Sequence, residues 1–251
     1  MKNTLIKLAK NTLSRFGYEI IPSWRMEQYD FANHLRELFK LLDIKCVIDV
    51  GANRGQYRDF LRAHVGYEGL ILSFEPVSSL ADYLFSKSKS DPFWEVFPFA
   101  LGSSETTHSI NVMTSDQFSS FLTPDHTVVA DFTEKNKIDH QEQVLVRKLD
   151  ILIDDLKKKY SIQNIYLKLD TQGYDLEILK GAENTLCEIM ALQSEVSVLR
   201  IYAGMPDFLT TIKLLNEKGF DISGMFPVSR DRYLRVVEFD AVMVRRLGDS
   251  L

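Results

Sequence analysis

The chain has 251 residues, 45% of them hydrophobic and 26% charged, with a formal net charge of −5. That balance can bury a real core and excludes a disordered polypeptide, while the negative charge speaks against a general binder of RNA or DNA. Cys46 and Cys187 are too few for a disulfide framework or a zinc cluster, and no stretch reads as a membrane span or a signal peptide, so a cytoplasmic setting is expected.

Residues 2–17 place Leu5, Ile6, Leu8, Ala9, Leu13 and Phe16 at helical spacing among Lys2, Lys7, Lys10 and Arg15. This basic amphipathic stretch is expected to pack on the domain or on a second subunit of a homo-oligomer, the alternative being peripheral contact with an anionic membrane. Pro22 interrupts the pattern, and a helix is expected over 29–42. Residues 1–43 are therefore read as a helical extension and 44–251 as the main domain.

From Cys46 onward, short apolar strands alternate with helical segments, the pattern of βαβ units and a mostly parallel sheet. The expected strands are 46–50, 70–74, 96–101, 165–170 and 190–196, with a final antiparallel pair within 219–246 that includes 240–246. The expected helices are 56–63, 77–87, 151–160, 175–190 and 206–218. Between them, 102–143 is polar and too long for a plain connection, so it is expected to be a functional or mobile insertion beside the carboxyl ends of the strands.

The strongest local signal is VIDVGANRGQY at 47–57, an apolar strand running through glycines into a helix. Gly51 and Gly55 permit close backbone approach, and Asn53 tolerates a left-handed conformation. Asp49 precedes the turn. Glu75 follows one helix and one strand later in Phe74-Glu75-Pro76, where a carboxylate can hold two ribose hydroxyls. Both features favour S-adenosylmethionine over a dinucleotide, and the G-A-N-R-G spacing departs from the dinucleotide G-x-G-x-x-G.

Together DVGANRGQY (49–57), FEP (74–76), FALGS (99–103), LKLDTQGYDLEILKGAE (167–183) and FDAVMVRR (239–246) resemble the FkbM-type methyltransferases over about residues 44–246. The resemblance implies a class I methyltransferase fold: a Rossmann-like, doubly wound seven-stranded α/β sheet ending in an antiparallel strand. It also implies O-methylation of hydroxyl groups on sugars or natural products. Carried over by position, Asp49, Gly51, Asn53 and Gly55 would surround the methionine part of the cofactor and Glu75 its ribose. Ala100 and Leu101 would lie near the adenine, with Ser119 and Ser120 in the accompanying polar stretch.

Asp170, at the end of the fourth strand, is the expected proton acceptor; as a structural alternative it caps the Thr171–Gly173 turn. Lys168 shares its strand face and could orient it, and Glu195 near the end of the fifth strand makes a carboxylate pair. A version in which this pair holds Mg²⁺ is less favoured, because no third oxygen ligand stands nearby. Gln172, Tyr174, Tyr202 and Arg230 are candidate contacts to a small-molecule or glycan substrate, and the five histidines form no metal-binding motif. The competing readings are a non-catalytic cofactor-binding protein, an RNA methyltransferase and a nicotinamide-dependent dehydrogenase, the last two less favoured.

Overall fold

Alternating apolar strands and amphipathic helices fold into two layers of helices around a main twisted sheet. A computed structural model of the chain describes residues 26–246 together with the single position 13. The basic amphipathic stretch read at 2–17 therefore lies outside the described residues, apart from that one position.

Helix α1 (Met26–Leu41) leads into β1 (Cys46–Val50), α2 (Gln56–Phe60) with a π-helical turn after it, and β2 (Leu70–Phe74). Next come α3 (Ser78–Ser88), β3 (Trp94–Phe97), β4 (Ala100–Leu101), β5 (Thr106–Met113) and β6 (Ile138–Arg147). The second half runs α4 (Leu149–Tyr160), β7 (Ile165–Leu169), α5 (Asp175–Gly181) and β8 (Ile189–Ser197). It ends in α6 (Phe208–Glu217), β9 (Phe220–Arg230) and β10 (Val236–Arg245).

The main sheet has seven strands in the order β3-β2-β1-β7-β8-β10-β9. Strands β3, β2, β1, β7 and β8 are parallel, and β10 runs antiparallel to both of its neighbours. This is the doubly wound, Rossmann-like α/β architecture expected, with the antiparallel close. The strand order reverses between β1 and β7, so a crevice opens at their carboxyl ends, where such sheets bind ligands.

Burial on both faces explains the near-continuous apolar runs of the strands. On one face Ile48, Leu72, Leu167 and Leu192 pack beneath Ile153 of α4, Ile178 of α5 and Leu215 of α6. On the other Val47, Ile71, Tyr166, Ala191 and Val242 lie under Leu35 and Phe39 of α1, Phe60 of α2 and Leu84 of α3. Helix α1 thus shares the core of the residues that follow it. Among the described residues no helix is long and apolar enough to cross a membrane.

Three expectations need correction. The strand expected over 96–101 is split: Pro98 has no N–H to donate to a ladder, and Ala100–Leu101 instead joins a separate three-stranded sheet, β4-β6-β5. Within 102–143, β5 and the first part of β6 belong to that sheet, so the polar insertion carries strands of its own. The strands β5 and β6 escaped notice because their outer halves are exposed and polar; from their inner halves Ile110, Val112 and Val144 turn against Val77 and Leu80. The helix expected to continue to 190 stops at Gly181, because the Asp150 carboxylate takes the backbone N–H groups of Asn184 (3.1 Å) and Thr185 (2.8 Å).

Candidate active site

The sheet face beneath α1 is apolar toward the amino ends of its strands and polar toward their carboxyl ends. Strand side chains alternate, so residues two apart share a face. Asp49 pairs in register with Ser73 and Lys168, and Lys168 with Gln193. One step further along the same face stand Asp170, Glu195 and, opposite Glu195 on β10, Asp240. These ends open into a cavity of about 1030 Å³, the size of a small-molecule site.

The turn after β1 forms one wall. Gly51 has φ 79°, and a Cβ there would lie 1.9 Å from the Asp170 carbonyl oxygen, so only glycine lets this turn pass β7. Asn53 has φ 48° and donates its backbone N–H to Glu75 Oε2 at 2.8 Å, while Val77 N–H donates to Oε1 at 2.9 Å. Glu75 is only 4% exposed, and burial pushes its carboxyl up to about 7 against those two hydrogen bonds. Each oxygen retains accepting capacity beyond its one backbone partner. Gly51, Asn53 and Glu75 line the cavity together with Ala100, Leu101 and Ser119, whose hydroxyl accepts the Met113 N–H at 3.2 Å.

Asp49 does not reach this space. Every residue of β1 is buried, and the Asp49 carboxylate accepts the Ser73 hydroxyl at 3.0 Å and lies 3.1 Å from the Lys168 ammonium. Ser73 in turn accepts the Trp94 indole N–H at 3.0 Å. The expectation that Asp49 surrounds a ligand is thus corrected: it anchors Lys168 from below. Gly55 is likewise behind the wall, packed where a Cβ would meet the Trp94 ring at 3.0 Å.

Lys168 spends its three donors inside the protein, on Asp49, the Gly51 carbonyl (3.1 Å) and Asp170 Oδ2 (3.3 Å). Burial works against its charge, but Asp170 and Asp49 outweigh it and hold the ammonium above its ordinary range. Lys168 is therefore a fixed, buried cation paired with the carboxylate that faces the cavity. Asp170 itself is 36% exposed and faces the cavity. The Gln172 amide nitrogen bridges Asp170 Oδ1 (3.4 Å) and Glu195 Oε2 (2.6 Å). Burial first, then the charges of Asp170, Glu238 and Asp240, push the Glu195 carboxyl well above the ordinary range.

The four expected substrate contacts divide. Gln172 and Tyr174 line the cavity, Tyr174 with its ring 4.5 Å from that of Phe121. Arg230 stands exposed at the rim and donates to the Leu234 carbonyl at 2.9 Å. Tyr202, at 0% exposure, is not a lining residue: its hydroxyl sits 2.6 Å from the Phe118 carbonyl and 3.1 Å from Gln172 Oε1. That correction turns Tyr202 into a support for Gln172, whose strained backbone (φ 53°) is also held by the buried Ser120 hydroxyl, 2.8 Å from the Gln172 carbonyl.

Residues 49–222 match the family model of the methyltransferase FkbM domain, a stretch that runs from the glycine turn through Asp170 and Glu195. The chain belongs to the FkbM methyltransferase family. Its sheet, doubly wound and closed by an antiparallel β10, is the class I methyltransferase fold that membership implies. No curated protein sequence matches it significantly. Among solved structures it is similar to methyltransferase FkbM from Methylobacillus flagellatus (17% identity, 79% of this chain, 44% of that one, TM-score 0.48). It is also similar to a SAM-dependent methyltransferase from Aquifex aeolicus (15% identity, 89% and 94% covered, TM-score 0.41). A third is Aeropyrum pernix fibrillarin in complex with S-adenosyl-L-methionine (12% identity, 85% and 73% covered, TM-score 0.43). This chain spans less than half the length of the Methylobacillus chain.

Among the cavity residues of this FkbM-family chain that its sequence did not single out are Gln193, Glu238 and Asp240. Gln193 Oε1 accepts from Tyr57 (2.9 Å) and Tyr166 (3.3 Å), so its amide nitrogen faces Asp240 Oδ1 at 2.8 Å. Glu238 accepts the Ser229 hydroxyl at 2.9 Å. Their signal was the alternation of acids at 238 and 240, which acquires meaning only once the register of β10 against β8 is known. Among the described residues no group of three or more His, Cys, Asp or Glu side chains is arranged to hold a metal ion.

Proposed function

We propose that this protein transfers the methyl group of S-adenosylmethionine to a hydroxyl of a saccharide, glycan precursor or natural product, with Asp170 as the proton acceptor. The observation that carries this reading is the place of Asp170: at the switch point, open to the cavity, between the Gly51–Asn53 turn and Glu195.

The residues present fit the cofactor. Glu75 presents a buried carboxylate, already oriented by two backbone N–H groups, to which a ribose diol can donate. Gly51 and Asn53 would border the methionine part, with Ala100 and Leu101 as apolar walls for the base. When bound, the cofactor supplies an activated methyl group on a positively charged sulfur. What remains for the chain is alignment of the acceptor oxygen and removal of its proton, and alignment is the larger share. Asp170 accepts that proton; Lys168 and the Gln172 amide fix its carboxylate from two sides, and Glu195 widens the acceptor wall.

The test is Asp170→Asn. It should lower kcat by about 10²- to 10⁴-fold in a radiolabelled methyl-transfer assay over a glycan panel, while affinity for S-adenosylhomocysteine stays within about twofold. Unchanged turnover would remove Asp170 from the chemistry. Cofactor binding without transfer to any hydroxyl acceptor would favour the non-catalytic binding protein instead.

A further inference from the structure

The acceptor half of the cavity has an uneven charge. Strand β10 brings Asp240 directly opposite Glu195, and Glu238 stands two residues away on the same face, next to Ser197 in register. Like charges placed opposite each other weaken a sheet, so the arrangement is not explained by folding. Lys168, committed to Asp49, Gly51 and Asp170, relieves it only in part: burial still holds the Asp240 carboxyl up at about 7 although the Lys168 charge acts to lower it. Arg230 turns its guanidinium to the Leu234 carbonyl, and Lys135 borders the cavity from the loop whose carbonyl accepts the Ser115 N–H.

The acids are nevertheless held with care. Two tyrosine hydroxyls fix the Gln193 amide, which points its nitrogen at Asp240 Oδ1; Ser229 holds Glu238. Among the described residues, the second oxygen of Asp240 and that of Glu195 have no hydrogen-bond donor, and both side chains line the cavity. The wall is dominated by carboxyl oxygens: it can receive hydroxyl or ammonium donors, and once Glu238 and Asp240, each raised by burial to about 7, have ionised, it repels carboxylate and phosphate. Glu238 and Asp240 also lie beyond residues 49–222, the part matched to the family model, so that match says nothing of their role.

We infer that Asp240 and Glu238 are acceptor-binding residues that select a substrate presenting hydrogen-bond donors and no negative charge beside the methylated hydroxyl. The donor group is a vicinal diol of a neutral sugar or the ammonium of an amino sugar; uronic acids and sugar phosphates are excluded. The inference rests on the methyltransferase reading above. Asp170 keeps the reacting hydroxyl, and the β10 wall fixes which neighbouring groups may accompany it.

The 251-residue chain loaded with S-adenosylhomocysteine is titrated at pH 7.5 and constant ionic strength with glucose, glucosamine and glucuronate as matched probes. Glucose, glucosamine or both should bind saturably, and glucuronate about tenfold more weakly or not at all. Preference for glucosamine identifies an ammonium, and equal binding a diol. Asp240→Asn and Glu238→Gln, near-isosteric changes, should each reduce that discrimination by about tenfold while leaving S-adenosylhomocysteine affinity and the circular dichroism spectrum unchanged. Glucuronate bound as tightly as glucose, no binding of either donor probe, or discrimination untouched in both variants would overturn the inference. Failure of the folded protein to bind S-adenosylhomocysteine would instead overturn the methyltransferase reading, and the inference with it.

Discussion

Tyr202 and Asp49 are buried behind the cavity wall and meet it only through Gln172 and Lys168. Tyr202 holds the Gln172 amide, which bridges Asp170 and Glu195. Tyr202→Phe should therefore lower kcat by about three- to tenfold, with cofactor affinity unchanged, since one buried hydrogen bond is lost and the ring remains. Equal kinetics for variant and parent would confine Tyr202 to packing. The sequence allowed Asp170, Glu75 and Lys168 to be singled out as cavity residues because each stands in a motif near a strand end, and all three line the cavity. It did not show that Asp49 and Tyr202 lie off the cavity lining, since no local pattern tells which way an acid near a strand end points or that a tyrosine is fully buried. Asp240 and Gln193 were invisible for another reason: their meeting depends on the register of an antiparallel strand far away in the chain.

At the scale of elements, the β1 turn carries the most constrained backbone of the site. Gly51→Ala would put a methyl group 1.9 Å from the Asp170 carbonyl oxygen at a φ of 79°. The expected cost is about 3 kcal/mol or more of stability, read as a fall in the denaturation midpoint in urea. A variant as stable as the parent would show that β1 and β7 are free to separate. The buried parallel strands and the helices between them were legible because apolar runs bounded by glycine and acid leave few alternatives. The small sheet was not: β5 and β6 each turn about half their length to solvent, so neither shows the full alternation of a half-buried strand.

For the whole molecule, the excess of buried acid makes a statement about pH. Burial raises Glu75, Glu238 and Asp240 to about 7 each, well above the ordinary carboxylate range that they have in the unfolded chain. A group whose folded pKa is raised makes the folded state hold its proton more tightly. Its contribution is complete below the unfolded value and is lost as pH rises through the folded one. Acids held low by partners, such as Asp91 beside Arg62 and Arg58, lose their contribution only under acid conditions, below the ordinary carboxylate range. His34, lowered by burial, acts in the opposite sense to the three raised acids. The ligand-free protein should thus melt at a lower temperature at pH 7.5 than at pH 5.5, and Asp240→Asn should flatten that slope; a melting temperature that rises over this interval would contradict it. Helix α1 belongs to the same account, since Phe31 and Asp30 border the cavity and Leu35 and Phe39 lie in the shared core.

The central claim is that Glu75 and the Gly51–Asn53 turn form the cofactor half of the cavity. Calorimetric titration with S-adenosylmethionine, S-adenosylhomocysteine and NAD, repeated on Glu75→Ala, tests it most directly. The account predicts saturable binding of the first two, weakened about tenfold or more by the substitution, and none of NAD. A folded protein that binds neither methyl donor nor its product, or that binds NAD instead, would contradict it.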